Sequence, residues 1–329
     1  MNTLLILAAA VLLAIVLGLA GLVFFTWYMA RKVESVLPRS GRMVEVPGAT
    51  LHVREQGSGP ALLMIHGLAG QMAHYTYGIA GPLAGDYRVV TIDRPGSGYS
   101  TRHPGTPADL SAQADALAAL IDRLQLGRPL VVGHSLGGAV ALTLALEHPQ
   151  SVSGLALIAP VTHMPEGVPP AFKGLTIASP LVRRIVAWTL AIPASIKGSA
   201  AVLGQVFGPE EVPRDFPTRG GGLLSLRPSG FLSASADLQA LPARLPQLQE
   251  SYGRLRVPVS VLYGRDDGIL DWKANGQALV DKVPGARLQL VDGGHMLPVT
   301  QAQLCADFIR QAAADAAVAG RLKAAQAAG

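Results

Sequence analysis

A chain of 329 residues, 50% apolar and only 15% charged, can hold one large catalytic domain with an insertion, or two small domains. It is richer in apolar residues than an ordinary soluble enzyme. The net charge of +5 comes with no Lys/Arg run and no known nucleic-acid motif, which excludes a polynucleotide as the expected partner, and the single cysteine, Cys305, excludes an intrachain disulfide.

The excess apolar content sits first in the chain. From Thr3 to Ala30 there is no charged residue. About 20 apolar residues suffice to cross a bilayer core, so this run predicts a single-pass anchor over residues 1–32 that meets membrane lipid through residues 3–30. Trp27 and Tyr28 stand where amphipathic aromatics favour the interface. Arg31, Lys32, Arg39 and Arg42, opposed only by Glu34, form a basic cluster suited to an anionic lipid surface. A cleaved signal peptide would need a basic start, a shorter apolar core and small residues before the cleavage site. Met1-Asn2-Thr3 and Tyr28 do not supply them, so a retained anchor is the expectation. The positive-inside rule then puts the following domain on the cytoplasmic side, the alternative being export, which a single N-terminal anchor can also direct.

Residues 33–42 read as a linker. Beyond it, Met43 to Val46 and Thr50 to Glu55 alternate about the turn Pro47-Gly48-Ala49, predicting an antiparallel pair. Ala61 to Ile65, Tyr87 to Ile92, Leu130 to Val132, Val152 to Ile158, Val257 to Tyr263 and Arg287 to Val291 are short continuous apolar runs, the mark of strands covered on both faces of a parallel sheet. Helical patterns lie between or after them at Asp109 to Leu124, Leu136 to Glu147, Trp272 to Val283 and Ala302 to Ala313. Alternating strand and helix predicts an α/β architecture with right-handed crossovers. Residues 161–255 break this rhythm with Pro and with Gly220-Gly221-Gly222, and read as an inserted helical cap with amphipathic pieces at Ala178 to Leu190 and Leu232 to Leu241. The division is therefore a core over 43–160 and 256–313, the cap, and an Ala-rich helical tail over 314–329.

The strongest local signal is Gly133-His134-Ser135-Leu136-Gly137, directly after Leu130-Val131-Val132. G-x-S-x-G between a strand and a helix is a nucleophile elbow, in which a strained turn exposes the serine and the flanking positions must be small. Gly133 and Gly137 meet that need, and the helix N-terminus favours an anionic intermediate at Ser135. A hydroxyl needs a base, and His295, in the loop Asp292-Gly293-Gly294-His295 after the last strand, is the best placed of the eight histidines. The base needs an orienting carboxylate. Gly264-Arg265-Asp266-Asp267-Gly268 offers Asp266 and Asp267, while Asp271 suits a helix cap.

These motifs resemble the α/β-hydrolase superfamily over about Met43 to Ala313, in the expected order Ser135, Asp267, His295. The resemblance implies an α/β-hydrolase fold, a mostly parallel central sheet flanked by helices, with the helical cap inserted and the transmembrane helix in front. It implies Asp267 as the acid, since G-x-x-D is similar to the family's acid loop. His66-Gly67-Leu68-Ala69-Gly70 resembles the family's oxyanion loop, so the backbone N–H groups of Leu68 and Leu136 are the implied oxyanion donors, Gly67 allows the turn, and His66 is a structural hydrogen-bonding residue. Asp93-Arg94-Pro95-Gly96-Ser97-Gly98-Tyr99-Ser100 resembles a shaping turn of the superfamily and is not a dinucleotide fingerprint.

No metal or cofactor is implied. A serine at the elbow excludes the haloalkane dehalogenase and epoxide hydrolase mechanisms, which place an aspartate there. The leading expectation is a serine hydrolase acting on small-molecule carboxylic esters with small to medium hydrophobic acyl groups. C–C bond hydrolysis, lactone hydrolysis and perhydrolysis by the same triad are alternatives, and a non-catalytic membrane-tethered binding protein of this fold is the alternative from another class.

Overall fold

The computed structural model describes residues 2–328; Met1 and Gly329, the outer residues of the anchor and tail segments, lie outside them. Within the described residues one sheet holds β1 (Arg42–Val46), β2 (Ala49–Gln56), β3 (Ala61–Ile65), β4 (Arg88–Ile92), β5 (Thr101–Arg102), β6 (Leu130–His134), β7 (Gly154–Ile158), β8 (Val259–Gly264) and β9 (Arg287–Val291). The spatial order is β1-β2-β4-β3-β6-β7-β8-β9, with β5 paired to β2. β1, β2 and β5 pair antiparallel and the neighbours from β4 through β9 pair parallel. This is the α/β architecture that the alternation of apolar runs and helices predicted, with the mostly parallel central sheet that the resemblance implied.

Successive side chains on a strand point to opposite faces, so continuous apolar strands feed two cores. Leu63, Ile65 and Val131 pack into a core with the helices α2 (Leu110–Arg123) and α3 (Leu136–Glu147). Leu62, Met64, Leu130 and Val132 enter the opposite core against a long C-terminal helix. Asp109 accepts the Ala112 N–H at 2.8 Å and so caps α2. From Leu136 through Ala145 every residue of α3 is buried, because the sheet lies on one side of it and α2 on the other.

Three segments differ from their sequence readings. The N-terminal helix α1 (Asn2–Val36) runs four residues into the segment read as linker, because Val33 is buried and Glu34 pairs with Arg227 at 3.2 Å. It is a candidate transmembrane span over Thr3–Val36. Between β7 and β8 the cap has three longer helices, α4 (Pro180–Trp188), α5 (Ala191–Phe207) and α6 (Pro228–Ser251). Pro193, Gly198 and Gly204 hide α5 from a propensity reading, while α6 continues past Pro242 and Pro246, with Leu241, Leu245 and Leu248 buried on one stripe. Finally, the last core helix and the tail are one helix, α7 (Ala302–Ala328). Ala supports helix strongly, and Ala316 still packs in the core beneath the sheet.

Candidate active site

β6 ends at His134 and α3 begins at Leu136, so one residue, Ser135, makes the whole turn. Its φ of 54° and ψ of −122° lie in a region costing about 1–3 kcal/mol for a residue with a Cβ. The turn closes only because its flanks are glycine: a Cβ on Gly133 would sit 2.6 Å from the Gly137 carbonyl oxygen, and one on Gly137 would sit 2.6 Å from the His66 oxygen. Ser135 N–H donates to the Ile158 carbonyl at 3.1 Å, which pins the elbow to β7.

The loop after β9 carries His295 back over the sheet edge. His295 is 3% exposed and Ser135 7%, so their contact is largely screened from water. His295 Nε2 lies 3.0 Å from Ser135 Oγ, and Nδ1 lies 2.8 Å from Asp267 Oδ2. An ionised carboxylate can only accept, so Nδ1 carries the proton and a neutral imidazole leaves Nε2 free to accept from the serine hydroxyl. Asp267 is fixed by the turn that follows β8: its Oδ1 accepts the N–H groups of Ile269 at 2.8 Å and Leu270 at 2.9 Å. Asp266 points elsewhere. It is exposed, and its carboxylate reaches only the Gly293 N–H at 3.4 Å. Asp271 accepts from Ala274 N–H at 2.7 Å, as a helix cap does.

The loop after β3 approaches Ser135 from the other side, where a Cβ on Gly67 would meet the Ser135 Cβ at 2.9 Å. Neither the Leu68 nor the Leu136 backbone N–H donates to another group among the described residues. His66 does not face Ser135. Its Nδ1 donates to the Gly67 carbonyl at 2.8 Å and its Nε2 accepts the Arg94 N–H at 2.9 Å. Burial, then the Arg94 charge, hold the His66 imidazole well below its ordinary pKa, so it stays neutral.

The sequence matches the alpha/beta hydrolase fold family over residues 60–302, most of the chain. The chain belongs to that family. An uncharacterized protein of Mycobacterium tuberculosis is 27% identical to this hydrolase over 275 residues, 82% of this chain and 79% of that one. A 2-hydroxymuconate semialdehyde hydrolase of Pseudomonas sp. (strain CF600) is 33% identical over 123 residues, 37% of this chain and 44% of that one. A crystal structure of a membrane phospholipase A, a bacterial virulence factor, superimposes with a TM-score of 0.67 at 24% identity, covering 95% of this chain and 99% of that one.

Several residues around the site of this hydrolase escaped the sequence reading. Arg94, fully buried, donates to the His66 carbonyl at 2.9 Å, the Gly67 carbonyl at 3.0 Å, and Gln113 and Asp237 at 2.7 Å each. Asp237, from α6, also binds Arg102 at 2.5 Å, so one buried ion cluster ties the cap to the loop beside Ser135. Glu210 follows α5 and accepts the Gly294 N–H at 2.9 Å, next to His295. His134 Nε2 donates to the His295 carbonyl at 3.0 Å, and burial, then His295, hold its imidazole well below the ordinary value. The only sequence signal for Arg94 was its place in the turn motif. That turn is built on Asp93, whose carboxylate takes the N–H groups of Met72 and Tyr99 and the His52 Nδ1, all at 2.8 Å. His52, on β2, is thus a buried strand residue.

Proposed function

We propose that this hydrolase is a membrane-anchored serine hydrolase that cleaves carboxylic esters with small to medium hydrophobic acyl groups. The observation that carries the reading is the unbroken relay Ser135–His295–Asp267, with contacts of 3.0 and 2.8 Å, on a strained elbow. Ser135 Oγ attacks the acyl carbon as His295 Nε2 takes its proton, and Asp267 stabilises the imidazolium that forms. The N–H groups of Leu68 and Leu136 receive the oxyanion at the helix N-terminus. His295 then gives the proton to the leaving alkoxide, and water, activated by the same imidazole, releases the acid from the acyl-enzyme. No residue of the relay calls for a metal or cofactor. The apolar span Thr3–Val36 supports the anchor and, with it, an acyl substrate met at a membrane.

Ser135→Ala tests this directly. The variant should lose fluorophosphonate labelling and p-nitrophenyl ester turnover, with kcat down by about 10⁴–10⁶. Labelling at the wild-type level would overturn the assignment. The relative named 2-hydroxymuconate semialdehyde hydrolase favours a second reading, cleavage of a C–C bond or a lactone by the same serine. A panel of esters of increasing chain length, with lactone and C–C substrates alongside, separates the two.

A further inference from the structure

The cap of this protein wears its apolar residues on the outside. In α4, Leu181 is 69% exposed, Ile185 53% and Val182 47%, and Leu190, at the break before α5, is 57% exposed. α4 and α5 meet at 78°, so the bend holds these side chains out from the domain. The large side chains this hairpin buries are few: Ile192 and, at its far end, Phe207, beside the smaller Ala187, Thr189 and Ala191. A helix of a water-soluble domain would turn this pattern inward.

Charge on the hairpin is one-sided. From Gly167 through Gly208 the chain has Lys173, Arg183, Arg184 and Lys197 and no acidic residue. Lys173, Arg184 and Lys197 are exposed. Exposed Leu, Ile and Val beside Lys and Arg is the composition of a helix that lies in the plane of an anionic membrane surface.

The position of α1 says which surface. Leu4 through Gly21 are exposed on every side. From Leu22 onward a stripe of Leu22, Thr26, Met29, Ala30 and Val33 is half-buried or buried, while Phe24, Trp27 and Tyr28 stay exposed. The covering elements are α4 and the turn at Gly222–Leu226. At 1.5 Å per residue, about 20 residues of α1 fill the hydrocarbon core, so the cap engages the helix at the level where the span ends. The helix that bears this exposed apolar face thus touches the anchor just beyond the anchor's fully exposed stretch.

We propose that the α4–α5 hairpin is a second membrane-binding element, seated with Leu181, Val182, Ile185 and Leu190 in the headgroup layer of the bilayer that α1 spans. This rests on the reading of α1 as an anchor. The same cap carries Glu210, which touches the His295 loop, and Asp237, which reaches the His66 loop through Arg94, so seating the hairpin holds the site against the lipid. A lipid ester would then reach Ser135 without crossing water, which narrows the substrate class to esters of membrane lipids.

The test uses the full chain in phosphatidylcholine–phosphatidylglycerol vesicles, with an environment-sensitive fluorophore on a single introduced cysteine. Native Cys305 is buried, and burial raises its thiol pKa, so it does not compete for the label. The positions are Ile185→Cys in the hairpin, Leu12→Cys in the anchor and Asp122→Cys at the exposed end of α2. The label at 185 should shift to the blue and be quenched by doxyl-lipid, as at 12, while the label at 122 is unaffected. Quenching at 12 with none at 185 would overturn the hairpin and leave the anchor standing. A blue shift at 185 without lipid quenching, together with crosslinking between chains, would give the face to a second copy and also overturn the proposal. No quenching at 12 would remove the anchor reading itself. Leu181→Cys repeats the hairpin measurement independently.

Discussion

The proposed acid is best tested by changing Asp267 to Asn. The Asp267 carboxylate faces two demands: its Oδ1 accepts two backbone N–H groups at 2.8 and 2.9 Å, and its Oδ2 accepts the His295 Nδ1 proton at 2.8 Å. An amide has only one acceptor oxygen. If that oxygen stays with Ile269 and Leu270, the NH₂ group faces His295 and pushes the ring proton onto Nε2, where it cannot take one from Ser135. If the amide turns over, two backbone donors lose their acceptor at about 1–3 kcal/mol each. The unproductive orientation is thus favoured by about 2–6 kcal/mol, and even the lower figure leaves roughly one molecule in thirty with the right tautomer. Loss of the negative charge beside the imidazolium adds to this, and the total expected fall in kcat is about 10⁴, or about 5.5 kcal/mol. Asp266→Asn, altering an exposed group with one contact of 3.4 Å, should change kcat by less than about threefold. The assay is p-nitrophenyl ester turnover by the full chain in detergent, with active sites counted by fluorophosphonate titration. Should Asp267→Asn keep more than about a tenth of the activity, or Asp266→Asn prove the damaging change, the assignment is refuted.

Three further outcomes are expected. Glu210→Ala removes the acceptor for the Gly294 N–H beside His295 and should lower kcat about tenfold, while Glu210→Gln keeps an acceptor and stays within about threefold; equal kinetics in the two variants would refute the contact's role. Asp237→Ala leaves Arg94 buried without its counter-charge and should destabilise the fold by about 3–5 kcal/mol in denaturant unfolding, a loss that an unchanged midpoint would exclude. Burial holds the His74 imidazole down to about 4 against the ordinary 6.5, so the unfolded chain binds the extra proton between those values and stability falls as pH drops through them. From pH 8 to pH 5 that loss is about 2 kcal/mol, and His74→Phe should shrink the pH dependence of unfolding by this amount.

The features legible in the sequence are those whose cause is local. A run such as Ala61 to Ile65 can be buried on both faces only inside a parallel sheet, and Gly133 and Gly137 are required by the tight turn at Ser135 between them. Asp267 stands close to β8 and His295 close to β9, so each is delivered to the sheet edge by its own strand. The cap was less legible. α5 contains Pro193, Gly198 and Gly204, which argue against a helix, and it forms because Ile192 and Phe207 find partners in the fold.

Sequence alone determined the layered fold, the elbow at Ser135 and the apolar span of α1, since each is written in consecutive residues and obeys short-range sterics or simple length. Tertiary structure alone decided what surrounds them. Arg94 meets Asp237 across 143 positions, and Glu210 reaches Gly294 across 84. Such charges look like ordinary surface residues until folding removes water from between them. The outward face of α4 is of the same kind: its apolar pattern is plain in the chain, but only the packing of α6, α5 and α1 against the helix decides which of its residues stay exposed.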